Sequence, residues 1–191
     1  NLQVEPGQTW EYSNLGLGIA GTILERQTHK SYEQLLLEKI CVPLGLNKTK
    51  LLLSGSDSLN FATGYNTHGL KVQYWDDFQA FKGIGAIRSN AKDLISYGKI
   101  ILNHESSYLK TQIDSCLKVT YEIDDFKMSS GWLNLKFNGN ECLFHDGGTG
   151  GFSSFIVISR VKNIVLVVLF NNAPSSITEN CFFNLVTEVV Q

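Results

Sequence analysis

One polar, glycine-rich segment separates two strand-like apolar runs of this chain: His145-Asp146-Gly147-Gly148-Thr149-Gly150-Gly151-Phe152-Ser153-Ser154. The apolar runs are Trp132 to Phe144 and Phe155 to Phe170. Glycine weakens a strand unless another backbone or a ligand comes close to it, so glycines at the start of a strand indicate a groove for a substrate. The segment also carries an imidazole and hydroxyl groups, which can contact a bound molecule.

The pattern from Gly131 onward predicts an antiparallel sheet. The strand-like segments are Trp132 to Phe137, Cys142 to Phe144, Phe152 to Ser159 and Ile164 to Phe170. The first two flank Asn138-Gly139, a dipeptide that strongly favours a two-residue hairpin turn. An amphipathic helix over Ile177 to Val190 can then cover one face of the sheet.

Helical patterns dominate the earlier part of the chain. The predicted helices are Leu15 to Gln27 with Asn14 as N-cap, a helix opened by the capping box Ser31/Gln34 and ending before Pro43, Ala91 to about Leu102 after Ser89 or Asn90, and Ser107 to Leu117. The pairs Asp76-Asp77 and Asp124-Asp125 are predicted to be solvated turns. We therefore expect an α+β protein: a mostly helical portion over residues 1–128 and an antiparallel sheet with a C-terminal helix over 129–191, interlocked in one catalytic domain.

Composition limits the possible partners. The chain has 191 residues, of which 43% are hydrophobic and 18% charged, as in a soluble globular domain. A net charge of −2 gives no electrostatic case for binding nucleic acid or an anionic membrane. The apolar run Ile164 to Phe170 is far shorter than the roughly 20 residues of a membrane span. Nucleic-acid and membrane-spanning functions are therefore not expected.

The sequence predicts neither a metal nor a cofactor. The cysteines form no C-x-x-C pair and have no histidine at metal-ligand spacing: Cys41, Cys116, Cys142 and Cys181. Three histidines in polar surroundings are expected to be surface residues rather than ligands: His29, His68 and His104. The glycine run is not followed by Gly-Lys-Ser/Thr and a helix, so a phosphate-binding loop is not favoured either.

A family resemblance covers nearly the whole chain in the correct order. The segment around the Tyr-x-Asn motif of class C β-lactamases and their penicillin-binding-protein-like relatives is similar to Pro6-Gly7-Gln8-Thr9-Trp10-Glu11-Tyr12-Ser13-Asn14-Leu15-Gly16. Later family segments resemble Ser31 to Leu46 and Gly83 to Leu94. The third family motif, Lys-Thr-Gly or His-x-Gly, corresponds to His145-Asp146-Gly147. The resemblance implies a β-lactamase/transpeptidase-like fold that lacks its N-terminal elements, and a periplasmic or secreted bacterial protein.

In that family the nucleophile is the serine of a Ser-x-x-Lys motif, located well before the tyrosine. This sequence has that spacing only after Tyr12, at five serines: Ser89, Ser96, Ser107, Ser115 and Ser159. Because their order is wrong, we interpret them as structural residues. The nucleophile is expected to lie outside this sequence.

The resemblance implies catalytic roles for Tyr12, Asn14 and His145. Tyr12 is the expected general acid/base, and Asn14 would hydrogen-bond the substrate amide or orient the missing lysine, unless it serves only as the helix N-cap. His145 would hydrogen-bond Tyr12 or the acyl or carboxylate end of the substrate. An ordinary histidine is mostly neutral at pH 7, unlike lysine. It therefore favours esters, amides or small D-amino-acid peptides over β-lactams.

Further roles are implied for three residues of the glycine-rich segment. Gly148 would donate its backbone N–H to the oxyanion, and the absent serine would supply the other donor. Gly147 and Thr149 would contact the substrate. The middle position of the motif, Asp146, receives no role.

Two functions therefore compete. The first is a portion of a β-lactamase-like serine hydrolase that acts on ester, amide or lactam bonds of a small molecule or peptide through an acyl-serine. The alternative is a non-catalytic module that binds peptides or cell-wall fragments. Because family members pair N-terminal strands with the last strand, Ile164 to Phe170 is expected to be an apolar sheet edge. We expect the chain to self-associate or to bind the missing segment, which could arrive as a separate chain.

Overall fold

The structure is a computed structural model that describes residues 4–75 and 79–191. Asp76 and Asp77, predicted to form a turn, lie outside the described residues. The helices, in chain order, are α1 (Asn14–Thr28), α2 (Tyr32–Leu36), a π-helical turn (Leu37–Cys41), α3 (Val42–Leu44), α4 (Gly55–Ser58), a 3₁₀ segment (Gln79–Ile84), α5 (Ala91–Leu102), a second 3₁₀ turn (His104–Ser106), α6 (Lys110–Leu117) and α7 (Ser176–Val189).

The described strands form one large and one small antiparallel sheet. The small sheet pairs β1 (Gly64–Tyr65) with β2 (Lys71–Val72). The large sheet has six strands in chain order, namely β3 (Val119–Ile123), β4 (Phe126–Ser129), β5 (Trp132–Phe137), β6 (Asn140–Thr149), β7 (Phe152–Ser159) and β8 (Ile164–Phe170). The predicted α+β class is therefore confirmed. Strand β3 lies before the predicted division between residues 128 and 129 and β4 crosses it, because a further hairpin with a mostly exposed edge strand extends the sheet.

The hairpin turns at Asn138-Gly139 and at Gly150-Gly151 contain glycines with positive φ. Asn138 and Gly139 have φ angles of 49° and 77°, and they join the paired residues Phe137 and Asn140. Positive φ at both central residues matches the twist of antiparallel strands, which is why Asn-Gly favours this turn. Gly151, at the next hairpin, has a φ of 96°.

The start of α1 differs by one residue from the prediction. Ser13 is the N-cap, and its Oγ accepts a hydrogen bond from the Gly16 N–H at 3.0 Å. Asn14, predicted to be the cap, is the first helical residue. Serine and asparagine cap helices about equally well, so the sequence alone did not separate these neighbouring positions.

Helices cover both faces of the large sheet. On one face, Phe182 of α7 is fully buried and stacks on Phe155 with ring centroids 4.4 Å apart. On the other face, Ile101 of α5 packs with Leu143 and Trp132. Burial of these large apolar side chains, worth about 1.5–3 kcal/mol each, fixes the sheet between the helices.

Helix α1 contacts the rest of the helical portion through small residues and one carboxylate. Gly18 and Gly21 are its buried positions. The Glu25 carboxylate accepts hydrogen bonds from the Tyr32 N–H at 2.7 Å and from Lys82 Nζ at 3.0 Å. These two donors hold the pKa of Glu25 below its ordinary value of 4.5.

We expect Glu25→Gln to reduce stability at pH 7 by about 1–2 kcal/mol, because charge-assisted hydrogen bonds are lost. A lowered folded-state pKa stabilises the protein above the ordinary value of 4.5, and this contribution disappears as the pH falls through the folded value. Urea unfolding at pH 7 and at pH 3 checks this, since the two proteins should converge in acid. Glu122→Gln is the control, because its exposed ion pair with Lys127 contributes little. Equal losses at both pH values contradict the expectation.

Apolar surface is exposed on α1 and at the edge of the sheet. Leu15, Ile19 and Ile23 form one stripe of α1 and are 50–59% exposed. Strand β8 is the last strand of the sheet, as predicted, and its Leu169 is 41% exposed. None of the described helices is long and apolar enough to cross a membrane. An apolar stripe and an unpaired strand edge both favour association with other polypeptide.

We therefore expect the isolated chain to self-associate at micromolar concentration. Light scattering coupled to gel filtration measures this directly. Ile23→Glu places a charge in the stripe of α1 and should shift the distribution toward monomer, whereas Gln112→Glu, on an exposed polar position of α6, should not. A monodisperse monomer with a cooperative melt would count against the expectation.

Candidate functional site

The C-terminal half of β6 is bordered by a strand on one side only. Strand β5 pairs with β6 as far as Leu133 opposite Phe144, whereas β7 continues to Phe152 opposite Thr149. Within the described ranges, residues 145–149 therefore have a free edge on the β5 side. Residues 145–149 of the glycine-rich segment are thus the end of a longer strand, and no described strand pairs with their second edge.

The pairing of β6 with β7 determines which backbone groups face this edge. Only two residues, Gly150 and Gly151, join Thr149 to Phe152, so these end residues bond directly to each other. Backbone groups along an antiparallel strand point alternately to either side. The N–H and C=O groups of Asp146 and Gly148 consequently point to the open edge. Gly148 presents an unpaired backbone N–H where an acyl oxygen could lie.

The His145 side chain lies on the face of the large sheet that α5 covers. Leu143, two residues earlier, packs with Ile101 of α5, and side chains two residues apart share a face. The half-buried His145 ring has its Nδ1 2.6 Å from the Asp146 carbonyl oxygen. A carbonyl oxygen only accepts, so Nδ1 carries the proton of this bond. In the neutral ring, Nε2 is then an acceptor.

Gly147 and Gly148 permit two close contacts of the strand. A Cβ atom on Gly148 would lie 2.2 Å from Pro174 Cγ, in the loop between β8 and α7. A Cβ on Gly147 would lie 2.9 Å from Ser154 Oγ, which donates to the Gly147 carbonyl at 3.4 Å. Glycine is therefore required at positions 147 and 148 by packing alone, in addition to any contact with a substrate. Thr149 follows them and is half-buried.

Ser154 is a site residue that the sequence reasoning did not select. Its position opposite Gly147 places its hydroxyl on the same face as His145. The alternation of side chains along β7 could have indicated this, because Ser154 lies two residues after Phe152 and therefore on the same face of the strand. Ser153 points the other way and donates from Oγ to the Asn172 carbonyl at 2.8 Å.

Tyr12 and Asn14 meet at the start of α1. The Tyr12 hydroxyl donates to Asn14 Oδ1 at 3.2 Å, and the Tyr12 side chain is 56% exposed. Because Ser13 caps the helix, the Asn14 side chain is available to hold the phenol. Just before this pair, Trp10 contacts Phe126 of β4 with ring centroids 5.2 Å apart. This contact ties the segment to the large sheet.

The structure thus presents the predicted site residues as two groups. One is the pair Tyr12 and Asn14, and the other is the β6 segment 145–149. Among the residues that the structure describes, no hydrogen bond or ring contact joins the two groups. Both are exposed enough to contact a ligand, and neither needs the other for its own geometry.

Most serines with Ser-x-x-Lys spacing have their hydroxyls engaged in local hydrogen bonds. These bonds join Ser89 Oγ to Thr49 Oγ1 (2.8 Å), Ser107 Oγ to the Leu109 N–H (3.1 Å), Ser115 Oγ to the Thr111 carbonyl (2.9 Å) and Ser159 Oγ to the Lys162 N–H (3.3 Å). Ser96 lies within α5. These contacts agree with the interpretation of the serines as structural residues.

The prediction that His104 is a surface residue is wrong. Its side chain is 7% exposed, its Nδ1 bonds the Ile101 carbonyl at 2.9 Å, and its Nε2 lies 3.0 Å from Asp114 Oδ1. Lys110 pairs with both Asp114 and Glu105, so the carboxylates of this cluster are already neutralised. The hydrogen bonds from the His104 ring to the Ile101 carbonyl and to Asp114 make burial of the imidazole possible.

Solved structures show which class of protein has this fold. A class C β-lactamase from Rhodobacter sphaeroides superimposes with a TM-score of 0.82 at 17% identity, covering 95% of this chain and 61% of that chain. The octameric penicillin-binding protein homologue from Pyrococcus abyssi gives a TM-score of 0.81 at 22% identity, covering 98% of this chain and 44% of the other. The fold is that of the class C β-lactamases and of this penicillin-binding protein homologue.

The chain belongs to the Beta-lactamase family, whose model matches residues 1–180. Protein flp of Staphylococcus aureus (strain MW2) is 29% identical over 180 residues, covering 89% of this chain. Unguisins hydrolase ungD' of Aspergillus campestris is 29% identical over 185 residues, covering 90% of this chain. The chain spans 35% of the length of each of these two relatives.

Proposed function

We propose that this chain is a portion of a β-lactamase-like serine hydrolase that opens ester, amide or lactam bonds through an acyl-serine. A Ser-x-x-Lys segment outside this sequence supplies the nucleophile. The observation that carries the proposal is the open edge of β6, where the Gly148 N–H points away from β7. An unpaired N–H on a rigid strand is the kind of donor that stabilises a developing oxyanion.

The chemistry assigns each group a step. The lysine of the proposed Ser-x-x-Lys segment first takes the phenolic proton of Tyr12. The serine oxygen then attacks the substrate carbonyl carbon while the Tyr12 phenolate accepts the serine proton, and the carbonyl oxygen becomes an anion hydrogen-bonded to the Gly148 N–H. As the C–O or C–N bond breaks, Tyr12 returns the proton to the leaving alkoxide or amine. Water repeats the sequence to release the acid. Asn14 accepts from the Tyr12 hydroxyl at 3.2 Å and keeps the ring in one orientation.

His145 narrows the substrate class. With Nδ1 donating to the Asp146 carbonyl, the neutral ring offers Nε2 as an acceptor for an N–H or O–H of the substrate. An acceptor does not recognise a carboxylate, which β-lactams carry. This arrangement favours esters, amides and small D-amino-acid peptides whose carboxylate does not lie at His145, with Gly147 and Thr149 beside the bound molecule.

The comparisons support hydrolysis in general terms. One relative is named as a hydrolase of unguisins, and the solved relatives include β-lactamases. A periplasmic or secreted location follows from the family resemblance and is part of the same proposal. The octameric relative supports the self-association expected from α1 and β8.

The complete gene product tests the proposal. We expect it to contain a Ser-x-x-Lys motif before Tyr12 and to hydrolyse p-nitrophenyl esters or D-alanyl-p-nitroanilide. His145→Gln, which keeps a hydrogen-bonding side chain of similar size, should raise KM more than it lowers kcat. A complete sequence without that motif, or a product that binds these compounds without turnover, would instead establish the non-catalytic binding module.

A further inference from the structure

The loop between β8 and α7 lies directly against Gly148. It spans residues 171–175, and its Pro174 Cγ would be 2.2 Å from a Cβ atom on Gly148. Proline has a fixed φ and a rigid ring, so this contact is stiff. Pro174 therefore supports the strand at the residue whose N–H points to the open edge of β6.

The buried residue Ser153 holds this loop to the sheet. Ser153 pairs with Gly148 across β6 and β7, so its side chain points to the same face as the contact with Pro174. Ser153 is 2% exposed, and its Oγ donates to the Asn172 carbonyl at 2.8 Å. Because a buried hydroxyl without an acceptor is costly, this bond keeps the loop next to the strand.

Three further hydrogen bonds join the same loop to β1 and to the residue before it. The Tyr65 N–H donates to the Asn171 carbonyl at 3.1 Å, and the Tyr65 carbonyl accepts from the Ala173 N–H at 2.7 Å. Asn171 Nδ2 donates to the Thr63 carbonyl at 2.9 Å. Pro174, the next loop residue, consequently has little freedom to move away from the strand.

The end of β6 depends on such support more than an inner strand does. Within the described ranges it pairs with β7 only, and four of residues 147–151 are glycines, which restrict the backbone least. A catalytic group must be held to within about 0.5 Å of its working position. A displacement of about 1 Å can slow a reaction about a hundredfold. Pairing with β7 fixes the strand within the sheet, and the loop opposes movement out of the sheet.

We propose that Ser153 is a positioning residue for the oxyanion donor, because it holds the loop that carries Pro174 against Gly148. This inference rests on the proposed function. The Ser153 side chain lies on the face of the sheet that α7 covers, together with Phe155, whereas His145 lies on the face that α5 covers. Ser153 therefore does not touch the substrate. It acts through the loop, which keeps the Gly148 N–H directed at the open edge.

Steady-state kinetics of the complete gene product with a p-nitrophenyl ester tests the role of Ser153. Ser153→Ala should lower kcat and kcat/KM equally, by about tenfold, because the donor is displaced rather than removed. KM should stay within about twofold, since the interaction is needed only in the transition state. Pro174→Ala changes an exposed residue, so it should fold normally and give the same pattern.

Ser129→Ala is the matched control. Ser129 in β4 is 3% exposed, and its Oγ donates to the Leu117 carbonyl at 3.1 Å. Both serine variants remove a buried hydrogen bond to a backbone carbonyl, so both should lose similar stability in urea. Only Ser153→Ala should lower kcat. Equal losses of kcat would show general destabilisation and would overturn the positioning role.

Hydrogen exchange followed by mass spectrometry gives a readout that needs no turnover. The amides of Gly147 and Thr149 bond to β7, so their exchange reports opening of the strand end. In the complete gene product, exchange in a peptide covering residues 145–152 should be at least about threefold faster in Ser153→Ala. It should be unchanged in Ser129→Ala.

The outcomes separate the positioning role from the proposed function. Unchanged kcat, or unchanged exchange, in Ser153→Ala overturns the positioning role and leaves the hydrolase standing. If the unsubstituted product has no hydrolytic activity, the hydrolase is rejected. Faster exchange in Ser153→Ala alone would then still support the part of the inference that concerns the loop and Gly148.

Discussion

Tyr12→Phe is expected to slow acyl-serine formation by the complete gene product about a hundredfold to ten-thousandfold, the usual contribution of a general base. The substitution removes only the hydroxyl, which donates to Asn14 Oδ1 in this structure. Because Tyr12 is 56% exposed, its loss should leave stability nearly unchanged. Stopped-flow kinetics with a p-nitrophenyl ester measures acylation and deacylation separately.

The control for this variant is Tyr108→Phe. Tyr108 is 62% exposed and lies in the helical portion, and its hydroxyl has no part in the proposed chemistry. It should react at the unsubstituted rate. Acylation by Tyr12→Phe within about threefold of that rate would remove Tyr12 from the mechanism, whereas a higher KM at unchanged kcat would assign it to binding alone.

Phe182→Ala is expected to destabilise the chain by about 3–5 kcal/mol, a large fraction of the stability of a domain of this size. Phe182 is 0% exposed, and its ring stacks on Phe155 and packs against Phe144. Truncation leaves a cavity between α7 and the sheet that these rigid strands cannot fill. Urea unfolding followed by circular dichroism measures the loss.

Phe183→Ala is the matched control, because this neighbouring residue is 42% exposed. Its loss should be smaller, about 1 kcal/mol. Equal losses for the two variants would show that α7 does not pack as described. The result also bears on the site, since the loop leading into α7 carries Pro174 against Gly148.

Local patterns were sufficient to predict most of the sheet. Asn138-Gly139 determines its hairpin because both residues adopt positive φ, and the apolar run 164–170 forms strand β8 as predicted. The hairpin of β3 and β4 was missed although Val119, Tyr121 and Ile123 alternate with polar residues, because both strands are short and β3 is mostly exposed. Alternation in a sequence indicates that one face of a strand is buried, and most residues of the edge strand β3 are exposed.

The site was predictable in its residues but not in its geometry. The open edge of β6 arises because β5 stops pairing at Leu133 while β7 continues, and this difference in strand length is set by register. The burial of His104 depends on Asp114, which is nearby in the sequence, and on Arg160, which is 56 residues away. Such long-range contacts leave no local signature in the sequence.

Covalent labelling with a fluorophosphonate tests the central claim most directly. The probe is applied to this isolated chain and to the complete gene product, and the modified residue is located by mass spectrometry. We predict that the isolated chain stays unlabelled and that the complete product is labelled at a serine upstream of Tyr12. Stable labelling of a serine within these 191 residues would show that the chain carries its own nucleophile and would contradict the account.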